Sequence, residues 1–226
     1  MRSIAKFAAV AIVLIVVCSA PPALADFSAC EAALQSDNLQ QQITLYTTCI
    51  SKGGLPIVER MGAFNNRGIA YRRLGETDKA LQDFSWAIES DPNWATSYVN
   101  RGELYQSRGE LAKALADYDM AIKVGPARAS YAAYNAEARL LATSRDPAIR
   151  NGLKAVKLAQ KAVSLVDSAA TRDTLAAAYG EVGQFDAAIR EETKAIVLAQ
   201  AKHPAQDATG FQSRLELYRQ GMPYRN

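Results

Sequence analysis

The sequence predicts an all-α protein, a right-handed α-solenoid of stacked helical hairpins closed by a C-terminal capping helix. Three observations carry that prediction. Asn66-Arg67-Gly68-Ile69-Ala70-Tyr71 returns thirty-four positions later as Asn100-Arg101-Gly102-Glu103-Leu104-Tyr105. The register persists through Gly75 and Gly109, Ala80 and Ala114, Phe84 and Tyr118, Ala87 and Ala121, Pro92 and Pro126; a period of this length with breakers inside it marks one supersecondary unit that must stack on its neighbours to bury an apolar face. The 226 residues are 49% apolar and 22% charged, enough apolar surface for a core and too little charge for a disordered chain.

Each unit reads as two antiparallel helices. Gly68 faces Ala80 and Ala87, small residues that let two backbones approach, while Tyr71 and Phe84 fill the space between neighbours. Gly75 breaks the first helix. Pro92 ends the second, because a proline disfavours helical conformation in the residue before it. This spacing of small, aromatic and proline residues resembles the tetratricopeptide repeat, with repeat positions 4, 8, 11, 20, 24, 27 and 32 filled in that family's manner over about residues 26–202. The resemblance implies a concave groove, lined by first-helix positions, that holds an extended peptide or a partner helix.

The elements follow in chain order. Residues 1–25 read as a secretory signal peptide: Arg2 and Lys6, the apolar run Phe7 to Val17, then Ala23-Leu24-Ala25 ahead of Asp26. Cleavage is expected after Ala25, giving a periplasmic or secreted chain with no stable membrane span. An uncleaved anchor is the alternative, and acylation at Cys18 is a second, set against it by Val17 where a lipoprotein signal resembles a small-residue position. The rest, 26–226, is expected to form one solenoid, since no Ser/Gly-rich or charged linker interrupts it. Its units fall at about 26–56, 61–94, 95–128, 129–166 and 169–202, with a cap at 206–221.

Carried back to the first unit, the frame puts Cys30 at position 8, Tyr46 at position 24 and Cys49 at position 27; the two cysteines are 19 apart, as Gly68 and Ala87 are. A disulfide between the first two helices is expected in an oxidising compartment. Two buried free thiols or a redox-active pair are the alternatives, the latter without the Cys-x-x-Cys arrangement or basic neighbour that lowers a thiol pKa. In the next two units Arg67 with Asp83 and Arg101 with Asp117 are placed for ion pairs between hairpin helices. The fourth unit is stretched: Ala136 to Ala155 spans 19 positions where a regular unit spans 12, so seven residues enter a loop near 144–152. The fifth recovers the pattern with Leu175, Ala176, Tyr179, Gly183, Ala188 and Ala195, except that Glu192 stands where others carry an aromatic. Leu215 and Tyr218 face inward from the cap, and Met222 to Asn226 reads as a stop signal.

Several function classes lose support on composition. Once Arg2 and Lys6 are set aside, 24 Lys and Arg face 23 Asp and Glu, which argues against nucleic-acid binding. One histidine, His203, and three cysteines leave few soft ligands, so neither a metal site nor a cofactor is expected. The sequence lacks a nucleophile elbow, a phosphate-cradling glycine loop, an HExxH and a dinucleotide turn, so the chain reads as no enzyme. The resemblance implies a protein or peptide partner. Its carboxylate-clamp variant is not expected: Asn66 and Asn100 match the clamp's asparagine, but Phe27, Glu31, Val99, Glu103, Ala133 and Glu137 stand where cations are needed.

The candidate groove residues are therefore Glu31, Asn66, Arg72, Arg73, Asn100, Glu103 and Glu137. Glu31, Glu103 and Glu137 recur at position 9 and form an acidic row suited to a basic partner, or else an ordinary solvated face. The function predicted is a non-catalytic scaffold or adaptor of the bacterial envelope. A self-associating structural component, a homo-oligomer, is the alternative. A ligand-binding subunit of an envelope enzyme is a third class, and the groove positions are neither aromatic-rich nor continuously apolar as it would require.

Overall fold

The computed structural model describes residues 28–52, 54–126, 130–201 and 207–226, and among them eleven helices and no strand. The signal peptide with its Ala25 cleavage site, Cys18, Phe27 and His203 lie outside the described residues. The helices are α1 (Ser28–Gln35), α2 (Leu39–Ser51), α3 (Ile57–Arg73), α4 (Thr77–Ser90), α5 (Ala95–Ser107), α6 (Leu111–Val124), α7 (Tyr131–Thr143), α8 (Gly152–Leu165), α9 (Ala169–Glu181), α10 (Phe185–Ala201) and α11 (Thr209–Arg219). Each helix packs on the next, and α3, α5, α7 and α9 also touch in succession, so one side of the stack is built from first helices. This is an all-α solenoid of helical hairpins.

Local chemistry starts and stops the helices. Asn38 and Asn151 accept hydrogen bonds from the Gln41 and Lys154 amides at 2.9 and 3.0 Å, capping α2 and α8, and Ser168 with Thr171 forms a capping box on α9. Gly75 and Gly109 take φ of 77° and 75°, a region costly for any residue with a Cβ, and turn the chain into the second helix of the hairpin. Alanine supplies much of the core: Ala80, Ala87, Ala114, Ala121, Ala155, Ala159 and Ala162 are fully buried, as are the rings of Phe84 and Tyr118. Close approach is required at Gly68 and Gly102, where an added Cβ would stand 2.7 Å from the Phe84 and Tyr118 rings. Trp86 is 39% exposed and lies against Phe64 with ring centroids 5.3 Å apart.

Cys30 and Cys49 are joined by a disulfide, with Cα atoms 5.5 Å apart. It ties α1 to α2 in the terminal described hairpin, where α1 has only eight residues and two buried side chains, Ala29 and Ala33. Replacing both cysteines by serine is expected to lower stability by about 3 kcal/mol through release of the loop-closure constraint. Urea unfolding with hydrogen exchange checks this: protection should fall in α1 and α2 and persist in α9, and uniform loss along the chain would contradict a local staple.

Candidate functional site

The interior of each regular hairpin is held by an arginine. Arg67 donates from Nε and Nη2 to both oxygens of Asp83 at 2.8 Å and from Nη1 to Thr47 Oγ1 at 2.9 Å, thereby joining its own hairpin to the preceding one. Arg101 repeats the arrangement with Asp117 at 2.8 Å and Ser85 at 3.1 Å. These pairs are buried or nearly so, and they face the hairpin interior rather than a ligand.

The acidic row does not form. Glu137 is fully buried, with its carboxylate 2.5 Å from Lys154 Nζ of α8, so it is not a groove residue. Burial raises its pKa, and the Lys154 ammonium opposes that rise. Glu103 is exposed but pairs with Arg72 at 2.5 Å, which cancels its charge. Asn100 is buried, donating to Asn65 Oδ1 at 2.8 Å, and so serves to lock α5 on α3 instead of meeting a partner. Arg73 is exposed. What the structure does bring together is Glu31 and Asn66, in a cleft of about 340 Å³ lined by Cys30, Leu34, Tyr46, Glu59, Gly62 and Ala63. The lining is mainly apolar, and Glu31 and Glu59 are both exposed beside it. Tyr46 forms its floor, with burial pushing the phenol above its usual range and Asn66 opposing.

At the other end of the stack the last residues are no simple stop. Gly221, at φ 67°, turns the chain after α11, and Met222 to Asn226 runs back across the C-terminal ends of α9 and α7. Arg225 pairs with Glu181 at 2.5 Å, and the Asn226 amide donates to Thr143 carbonyl oxygen at 2.8 Å. The seven-residue insertion is equally well held. Arg150 donates to the Ser144 and Arg145 carbonyls at 2.9 and 3.1 Å and to Glu181 at 3.2 Å, and the Asn151 amide donates to Leu141 oxygen at 3.0 Å. No pattern in the sequence marked this docking, because its partners are the Glu181 carboxylate, 44 positions away, and main-chain carbonyls 83 positions away.

Among the described residues no group of three His, Cys, Asp or Glu is placed to hold a metal, and no helix is long and apolar enough to cross a membrane. Family models described as tetratricopeptide repeat match residues 63–93 and 94–125. No curated protein matches the chain by sequence. Among solved structures, a tetratricopeptide repeat protein from Parabacteroides merdae is similar at 19% identity and a TM-score of 0.61, covering 84% of this chain and 76% of its own. A thermophilic TPR protein of Thermus thermophilus is similar at 17% identity and a TM-score of 0.55, covering 85% and 98%. MamA is similar at 16% identity and a TM-score of 0.58, covering 77% and 96%. At these identities the likeness concerns the fold.

Proposed function

We propose, starting from a chain that is a tetratricopeptide-repeat protein with repeats matched over 63–93 and 94–125, that it is a non-catalytic scaffold of the bacterial envelope which receives a basic, partly apolar segment of a partner protein. Tetratricopeptide repeats are protein-interaction modules, and the finer reading rests on one observation: the cleft between α1 and α3 combines an apolar lining of Leu34, Tyr46 and Ala63 with the carboxylates of Glu31 and Glu59 and the amide of Asn66. An aliphatic stem ending in a cation fits that combination, burying its methylenes while its charge meets two acids at the rim. Export is supported by the leader pattern of residues 1–25 and by a disulfide of the kind that persists in oxidising compartments.

A second reading is supported by the same end of the stack. Leu34, Ile57 and Val58 are 64%, 55% and 66% exposed, an apolar surface suited to a second copy of the chain.

The test is affinity capture from envelope extract with the oxidised chain 26–226 as bait and a Glu31→Lys, Glu59→Lys form as control. Both residues are exposed, so the control should keep its melting temperature. A partner recovered stoichiometrically by the bait and reduced at least tenfold with the control is the expected result. A partner held equally by both forms removes the acidic cleft from the account. Recovery of the bait alone, as a species whose size grows with concentration, selects self-association.

A further inference from the structure

We infer that the surface the acidic cleft takes belongs to a second copy of this chain: the exposed stripe Leu153, Lys157 and Lys161 of α8. This rests on the reading of the cleft as a receptor for a basic, partly apolar segment, and it names the occupant.

The receptor is charged and uncovered. Glu31 and Glu59 are exposed at the cleft, and neither pairs with a cation among the described residues. Beside them Leu34 is largely exposed, as is Val58, one turn before Gly62 of the lining. Two unmatched acids next to bare apolar surface fit neither a solvated face, which is polar throughout, nor a core, which excludes charge.

α8 carries the complement. Leu153 is 75% exposed, the most of any large apolar side chain among the described residues. Lys157 and Lys161 follow at one and two turns, so the three form a stripe about 12 Å long on one face. Both lysines are exposed, and neither pairs with an acid among the described residues. Their neighbours differ: Lys113 pairs with Glu110, Lys154 with Glu137 and Asp119, and Lys194 with Glu191. Ala155, Ala159 and Ala162 hold the opposite side of α8 in the core, which leaves the stripe for an outside contact.

The two surfaces correspond part by part. A lysine is an aliphatic stem ending in a cation, which is what a lining of Leu34, Tyr46 and Ala63 beneath two carboxylates accommodates. With Lys157 in the cleft, Leu153 meets the exposed apolar surface beside it, and Lys161 brings a cation for the second acid. α8 belongs to the fourth hairpin and the cleft to the first two, so the stacked helices between them keep the two surfaces of one molecule apart. The contact is therefore between copies. Because it joins two different surfaces, assembly closes as a reciprocal dimer or a ring, or continues as a chain.

Sedimentation of the oxidised chain 26–226 at rising concentration tests this, with circular dichroism reporting the fold of each variant. Self-association is expected by about 1 mM and should weaken as salt is raised, since the charges meet at an exposed rim. Lys157→Glu with Lys161→Glu, and separately Glu31→Lys with Glu59→Lys, should each weaken it at least tenfold, and a chain carrying all four changes should recover most of the loss. All four side chains are exposed, so these forms should melt with the unaltered chain. A chain that stays monomeric up to about 1 mM overturns the inference, as does association untouched by the lysine changes or a four-change chain that recovers nothing. Those results leave the acidic cleft standing where a foreign partner is still lost with Glu31→Lys, Glu59→Lys in the capture from envelope extract. Association lost with the lysine changes but kept with the glutamate changes overturns the inference and removes the cleft with it.

Discussion

Replacing Asp83 by alanine is expected to cost about 3–5 kcal/mol of stability, because it strands a buried guanidinium. The Arg67 and Asp83 side chains are 10% and 1% exposed, and among the described residues no other anion pairs with the arginine. It is also wedged between the Phe64 and Tyr71 rings, whose faces lie 5.6 and 5.9 Å from its guanidinium carbon, so it has little freedom to turn outward. The hydrogen bond to the Thr47 hydroxyl would remain, which spreads the damage from the second hairpin to its junction with the first. Asp117→Ala should cost less, since Arg101 and Asp117 are 20% and 8% exposed and water can reach the vacated site. Replacing Arg67 and Asp83 together by leucines should be close to neutral, because no uncompensated charge is then left. Urea unfolding of the three forms, followed by circular dichroism and by tryptophan emission from Trp86 and Trp94, checks the order. A loss under about 1 kcal/mol for Asp83→Ala would show that solvent already enters the pair.

The same pair shows what kind of information the sequence carries. The fold was legible because the solenoid repeats its own solution: once Gly68 and Ala87 are seen to return as Gly102 and Ala121, the register assigns a helix and a face to most of the chain, and it even places Cys30 opposite Cys49. The groove was less legible, because a face is not an exposure. Position 9 holds Glu31, Glu103 and Glu137, yet the first is exposed, the second is paired with Arg72 thirty-one residues earlier, and the third is buried under Lys154. Those fates depend on which long side chain of the adjacent helix reaches across, and that reach lies outside any 34-residue register. Asn100 and Asn66 likewise share a repeat position and differ in role because only Asn100 finds Asn65 on the neighbouring helix. The docking of the tail carried no signal, since five extended residues have no helical periodicity and their partners, Glu181 and the Thr143 carbonyl, lie far away in sequence.

Raising the pH from 5 to 9 is expected to loosen the C-terminal end of the stack, and Glu192→Gln to remove most of that effect. Glu192 occupies the position held by Phe84 and Tyr118 in the regular units and, like them, is fully buried. There it meets Asp173 of α9 and Arg214 and Tyr218 of α11, so that two carboxyls share one guanidinium. Arg214 Nε is committed to Asp173 at 2.5 Å and stands 3.5 Å from Glu192. Burial first, and the Asp173 charge second, push the Glu192 carboxyl up to about 9, against which Arg214 pulls it down. The folded protein therefore holds a proton that an unfolded chain, with a glutamate pKa of about 4.3, has released by neutral pH. Stability linked to this group is complete below the unfolded value and declines as pH rises toward the folded one, with a slope of at most about 1.4 kcal/mol per pH unit. Above that, a second negative charge faces Asp173, and the cap formed by Phe211, Leu215 and Tyr218 is what α9 and α10 lose first. Glutamine keeps the shape and cannot ionise, so thermal melts of the two chains should diverge with rising pH and converge near pH 5. Buried Glu137 is shifted in the same direction and contributes a slope common to both chains, so the comparison isolates Glu192. Parallel melting curves across the range would mean that Arg214 holds both carboxylates ionised, and that the cap is fastened by charge alone.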